Sequence, residues 1–219
     1  MRGTFACLPA VALVALQLAC GSWNAQPPVA GASNPPSLIL EDHFDNQETD
    51  WWLDWTGDGV ARVGDGKLQL SIPDPDSDAI TGHTRLDYLS PPYELKALLT
   101  PVSGSGNSLI AIAFRYLDDD NLAVLFLGAN GLISLSVTMD GEYRDIIPWT
   151  TQPGSFAAGA RVRLVDTGKR LSFTANDELV FDMPFEFLRA GGLYFYVGAF
   201  DKLGASWEID DVLVSSAAP

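Results

Sequence analysis

From Ser37 onward no ten-residue stretch places apolar residues 3.6 apart between caps, so the chain has no means of building a helical core. What recurs is alternation. Leu68, Leu70 and Ile72 are separated by polar neighbours, as are Val162 with Leu164 and Leu171 with Phe173, which is the period of a half-buried strand. Three runs, Leu109 to Phe114, Leu122 to Leu127 and Leu193 to Phe200, are more continuously apolar and read as inner strands. Between the runs stand Asp65-Gly66, Asn130-Gly131, Asp140-Gly141, Thr167-Gly168 and Asn176-Asp177, residue pairs that supply the positive φ of tight hairpins. Hairpins make antiparallel neighbours, and about twelve strands exceed one open sheet, so the expectation is a two-sheet antiparallel sandwich of jelly-roll type. One turn of helix is expected near 184–189.

The N-terminal end is organised differently. Residues 1–19 hold one positive charge, Arg2, and a mostly apolar run from Phe5 that is short for a membrane span, as in an export signal. Leu16-Gln17-Leu18-Ala19-Cys20 resembles the bacterial lipoprotein signal, in which the Cys is lipidated, although Gln17 stands where that motif prefers Leu. The alternatives are a lipid anchor at Cys20, giving a cell-envelope lipoprotein, and a plain secretory signal. Residues 20–36 carry Pro27-Pro28 and Pro35-Pro36 among Gly, Ser and Asn, the composition of a tether. The only cysteines are Cys7 and Cys20, so the domain at 37–219 has neither an internal disulfide nor a thiolate metal site. It must be stabilised by a core, and its 183 residues suffice to bury about 70% of the unfolded surface.

With 28 Asp and Glu against 13 Lys and Arg, net −15, the chain is a poor match for a phosphate backbone, and nucleic acid is excluded as a partner. Acidity leaves open a neutral ligand such as sugar, or a divalent cation.

The order of motifs is more specific than the composition. Leu40-Glu41-Asp42-His43-Phe44-Asp45, the tryptophans after it, and Val63-Gly64-Asp65-Gly66-Lys67-Leu68 resemble the opening of the concanavalin A-like lectin/glucanase jelly rolls. Phe114-Arg115-Tyr116 with the acidic loop to Asn121, the hairpin from Arg163 to Phe181, and Ile209-Asp210-Asp211-Val212-Leu213-Val214 are similar to its middle and end. The resemblance spans nearly all of 38–215 and is nearest the sugar-associated branch containing the 3-keto-disaccharide hydrolase-like and laminin G-like domains. It implies the jelly-roll fold, and fold does not dictate function.

Glycoside hydrolysis needs two carboxylates facing each other across a cleft. The resemblance implies that glucanases of this fold draw theirs from one strand as Glu-x-Asp-x-Glu or Glu-x-Asp-x-x-Glu. Glu208-Ile209-Asp210 begins that pattern, but Val212 and Leu213 occupy the places of the third carboxylate. His43 and His83, the only histidines, lie in no zinc-binding spacing. Asp74-Pro75-Asp76-Ser77-Asp78 lacks the Gly and Glu of a calcium loop, and Asp118 to Asp120 reads as a solvated hairpin tip.

Strict alternation puts Asp210 on the core side with Val212 and Val214, where a carboxylate must be paired or metal-bound. The resemblance implies a structural calcium held by Asp210 with Glu41 or Asp42 and the carbonyl of Gly66. The alternative is a carboxylate that accepts backbone N–H bonds.

A sugar offers an apolar C–H face and a rim of hydroxyls, so aromatics beside polar groups are the signature to seek. Trp51, Trp52, Trp55, Tyr116, Tyr143 and Trp149 lie in or beside loops, and alternation sets Arg115 on a small-residue face with Ala111 and Ala113, the floor of a groove. For any single residue the commoner reading is structural, Trp52 and Trp149 closing the sandwich ends and Arg115 pairing with a local Asp; as a set they are the place to look. The expected function is noncovalent carbohydrate binding at the cell surface. The alternatives are a glycoside hydrolase of the 3-keto-disaccharide type, and a structural or adhesion module that binds an envelope protein.

Overall fold

The computed structural model describes residues 36–217, apart from 47–48, 54–57, 105, 107, 152–155 and 201–203. The signal, the tether and Cys20 lie outside them. Fourteen strands occur among the described residues, two more than the alternation resolves. They are β1 (Leu38–Asp42), β2 (Val60–Gly64), β3 (Lys67–Ile72), β4 (Ala79–Gly82), β5 (Tyr93–Ser103), β6 (Ser108–Asp118), β7 (Asn121–Gly128), β8 (Leu132–Met139), β9 (Glu142–Thr151), β10 (Ala160–Asp166), β11 (Arg170–Ala175), β12 (Glu178–Pro184), β13 (Gly192–Ala199) and β14 (Ala205–Ser216).

Two antiparallel sheets result. One runs β12-β11-β10-β5-β14-β3-β2, with β1 also on β14; the other runs β4-β13-β6-β7-β8-β9. Three hairpin turns have both central residues at positive φ: Asp65 and Gly66, Asp140 and Gly141, Asn176 and Asp177. That twist matches the flanking strands. The expected helical turn at 184–189 is absent. Among the described residues two short 3₁₀ turns occur, Thr84–Leu86 and Phe156–Ala158.

Alternation sends every second side chain between the sheets. Leu68, Leu70, Leu95, Leu99, Phe173, Trp207 and Ile209 from the larger sheet meet Ile110, Ile112, Phe114, Leu125, Leu135, Phe195 and Val197 from the smaller one. Each such side chain contributes about 1.5–3 kcal/mol by leaving water, which stabilises a domain without disulfides. The three apolar runs are β6, β7 and β13, which lie next to one another in the six-stranded sheet.

Of the register shifts in the two sheets, two interrupt the alternation at residues singled out from the sequence. In β6 the register with β7 shifts between Phe114 and Asp118, and Arg115 has φ of 50°. In β14 the register with β5 shifts between Asp210 and Leu213, and Asp211 has φ of 51°. A bulge sets two residues against one and reverses which face the following side chains take.

Candidate carbohydrate-binding face

The outer face of the six-stranded sheet is assembled from residues that alternate with the core set. One row crosses the strands as Gly82, Tyr194, Ala113, Val124, Ser136 and Asp145. The next is Ile80, Tyr196, Ala111, Phe126 and Ser134. Ala111, Ala113, Ser134 and Ser136 make a low floor between taller side chains, and all four are buried.

Two aromatic groups stand on this floor. The Trp52 ring is 5.5 Å from that of Tyr194, and Tyr116 meets Tyr194 edge-on at 5.0 Å. The Trp149 ring is 5.6 Å from Phe126 and 5.0 Å from Phe200. Trp149 is 40% exposed and Phe200 58%, so the second group presents open ring surface. Tyr194 on β13 and Phe126 on β7 are two strand spacings apart, about 10 Å. An extended ligand could therefore lie on both.

Polar groups border the rings. The Tyr116 hydroxyl donates to Asp119 at 2.9 Å and that of Tyr143 to Asp145 at 2.7 Å. Burial, with the bond to Asp119 adding to it, pushes the Tyr116 hydroxyl up to about 12. The bond to Asp145 raises Tyr143, and burial raises Tyr194 and Tyr196. All four hydroxyls are therefore protonated donors at neutral pH.

Of the residues expected at a sugar site, Trp52, Tyr116, Tyr143 and Trp149 share this face. Trp55 lies outside the described residues. Trp51 is buried, its indole N–H donating to Asp42 at 2.8 Å. The expectation for Arg115 is overturned. The β6 bulge turns it inward, where its guanidinium pairs through two nitrogens with Asp166 of β10, in the other sheet. Its remaining nitrogen donates to the carbonyls of Phe187 (2.5 Å) and Leu188 (2.6 Å). Arg115 is thus a link between the sheets, and no part of the floor. Tyr194, Tyr196, Phe126 and Phe200 were not singled out from the sequence. The available signal was Tyr194-Phe195-Tyr196, in which two hydroxyl-bearing rings flank a purely apolar one.

Asp210 is likewise displaced from its expected place. Ile209 and Val212 both enter the core, so Asp210 and Asp211 both face outward, and Asp210 accepts the N–H of Asp211 at 2.7 Å. The other residues expected at calcium are engaged separately. Asp42 accepts the N–H of Phe44 and the indole of Trp51, both at 2.8 Å, and Glu41 lies 3.2 Å from His43. Gly66 sits in the β2–β3 turn with φ of 71°. Among the described residues no three His, Cys, Asp or Glu side chains form a group able to hold a metal ion.

The Glu208-Ile209-Asp210 segment lies in the eight-stranded sheet, and Glu208 pairs with Lys67 at 2.7 Å on the outer side of that sheet. It is separated from the aromatic face by the whole thickness of the sandwich.

No protein-family model and no curated protein matches this sequence. Solved structures do match. A carbohydrate-binding module, CBM66 from Bacillus subtilis, superposes with a TM-score of 0.60 at 18% identity, covering 77% of this chain and 96% of that one. The endo-β-1,3-glucanase of Pyrococcus furiosus gives 0.62 at 16% identity, covering 84% and 96%. A Bacillus subtilis protein of unknown function with a galectin-like fold gives 0.61 at 13% identity, covering 83% and 97%. In its strand order, its two layers and these superpositions, the chain has the fold of the concanavalin A-like jelly rolls.

Proposed function

We propose that this protein binds carbohydrate noncovalently on the outer face of its six-stranded sheet, as a non-catalytic module. The observation that carries the reading is the pair of aromatic groups over the floor of Ala111, Ala113, Ser134 and Ser136. Rings of this kind stack on the C–H face of a sugar while the tyrosine hydroxyls meet its rim.

The hydrolase alternative is less well supported. Among the described residues, β4, β7, β8 and β13 contain no Asp or Glu, and that of β6 is Asp118 at its last position. Asp145 on the edge strand is the one carboxylate in the two rows across the face, and it is already engaged by Tyr143. Two carboxylates about 5 to 9.5 Å apart are what hydrolysis requires. The likeness to a carbohydrate-binding module and to a glucanase is compatible with either reading, since it concerns fold.

The deciding experiment is a glycan-panel binding assay run alongside a reducing-sugar assay. Binding that falls in Trp149→Ala and Tyr116→Ala, with no sugar released, supports the proposal. Release of reducing ends by wild-type protein would replace it with the hydrolase reading. Capture of an envelope protein, with no glycan bound, would leave the adhesion module. We further propose export, with the tether at 20–36 holding the domain at the envelope through lipidated Cys20, on the strength of the signal-like segment before it.

A further inference from the structure

The other face of the sandwich has the opposite chemistry. Along one edge β14 pairs with β3 over 205–209 and with β1 over 212–215. The bulge at Asp210 and Asp211 occupies the changeover. Beside that break, on the outside of the eight-stranded sheet, lies a cavity of about 380 Å³ floored by Leu98 and Leu213. Lys96, Arg161 and Arg163 form one wall, from β5 and β10, and His43 with Glu41 and Asp211 the other. Three of the chain's 13 Lys and Arg and one of its two His thus meet at one cavity, in a protein of net charge −15.

Most of these charges are already matched. Glu94 takes both Lys96 (2.8 Å) and Arg163 (2.6 Å), so two cations share one carboxylate. Burial alone would raise the Glu94 carboxyl, but the bonds from Arg163 and Lys96 hold it below its usual range. His43 lies 2.9 Å from Asp211 and 3.2 Å from Glu41. Asp177, in the β11–β12 turn, lines the same cavity without an ion pair among the described residues. Arg161 is held by its backbone, whose N–H donates to Asn176 Oδ1 at 3.0 Å, while its guanidinium has no acceptor among the described residues. A guanidinium presents a planar fork that suits a carboxylate or phosphate, and this one borders a space within the range of small-molecule sites.

We propose that this cavity is a second ligand site, for a small organic oxyanion gripped by the Arg161 fork, its apolar part resting on Leu98 and Leu213. The chemistry fits either a carboxylate or a phosphate group. It is distinct from the aromatic face, where the strands present no Lys or Arg outward among the described residues.

The test is a titration of the ¹⁵N-labelled domain with glucuronate, inorganic phosphate and glucose, followed by amide chemical shifts. Glucuronate should move the amides of 96–98, 161–163 and 211–213 saturably, and glucose should not. Arg161→Gln should weaken glucuronate at least tenfold with the fold intact, as should Leu98→Glu, which sets a carboxylate in the floor. Trp149→Ala should leave this binding unchanged. Phosphate binding as tightly as glucuronate would support a bare oxyanion as ligand, and weaker phosphate an organic carboxylate. Equal shifts with glucose, or undiminished glucuronate binding in Arg161→Gln, would overturn the proposal.

Discussion

Arg115 of β6 and Asp166 of β10 form a two-point ion pair across the two sheets, and both side chains are fully buried. Asp166 also accepts the N–H of Gly168 at 2.8 Å, and the Arg115 guanidinium lies 4.9 Å from the centre of the Phe185 ring. The same guanidinium holds the Phe187 and Leu188 carbonyls, so it fixes the segment between β12 and β13 that leads into the aromatic face. A non-glycine residue at φ of 50° is strained, and this set of bonds offsets the strain.

Removing one partner of such a pair leaves the other buried and uncompensated, at a cost of about 3–5 kcal/mol. Arg115→Met and Asp166→Asn are each expected to destabilise the domain by that order. Arg115→Met combined with Asp166→Asn should cost clearly less than the sum of the single changes. Urea denaturation of the four proteins in a double-mutant cycle measures the coupling; additive effects would show that the pair carries none.

At the aromatic face, Trp149→Ala should lower glycan affinity about tenfold, ~1.4 kcal/mol, with little change in melting temperature, because the ring is part exposed and its loss opens no core cavity. Ala113→Trp should also abolish binding, by filling the floor. Calorimetric titration of the glycan identified from the panel separates these effects from unfolding. Unchanged affinity in Trp149→Ala would move the site elsewhere.

The two histidines should act on stability with opposite signs. His43, exposed between Asp211 and Glu41, has its pKa raised by those bonds, so the folded state favours its proton. Its contribution is full below pH of about 6.5 and is lost as pH rises through the raised value. His83 has its pKa lowered by burial, and its Nδ1 accepts the Arg85 N–H at 3.1 Å, which requires the neutral ring. Its contribution is full above about 6.5 and is lost as pH falls toward the lowered value. Denaturation midpoints between pH 5 and 8 should therefore flatten on the alkaline side in His43→Gln and on the acid side in His83→Asn.

For the N-terminal segment, metabolic labelling with palmitate in a bacterial host should mark the wild-type chain and not Cys20→Ser, with the variant recovered outside the membrane fraction. Equal labelling of both would exclude Cys20 as the acceptor.

The class of fold was legible because side-chain alternation and turn pairs are local. Leu68, Leu70 and Ile72 point inward as their spacing requires, and Asp65-Gly66, Asp140-Gly141 and Asn176-Asp177 adopt the positive φ expected of hairpin turns. The small floor was partly legible too: Ala111 and Ala113 were placed on one face correctly, since they precede the bulge in β6. Arg115 and Asp210 were misplaced for a common reason. Each lies at a bulge, and period-two reading carried past a bulge assigns the wrong face.

By itself the sequence determined an antiparallel β sandwich without disulfides and the hairpins that build it. The tertiary structure decided which side of that sandwich each charge serves. Trp52, Tyr116, Phe126, Trp149, Tyr194 and Phe200 come from segments far apart in the chain, and only the pairing of β13 with β6, β6 with β7 and onward to β9 brings them to one face. A bulge arises where the register of two strands must shift for both to keep their apolar sides in the core, and the partner strand imposes it. No residue type within Phe114-Arg115-Tyr116 or Asp210-Asp211-Val212 announces that shift, which is why the inter-sheet ion pair and the cavity beside β14 emerge only once the sheets are packed.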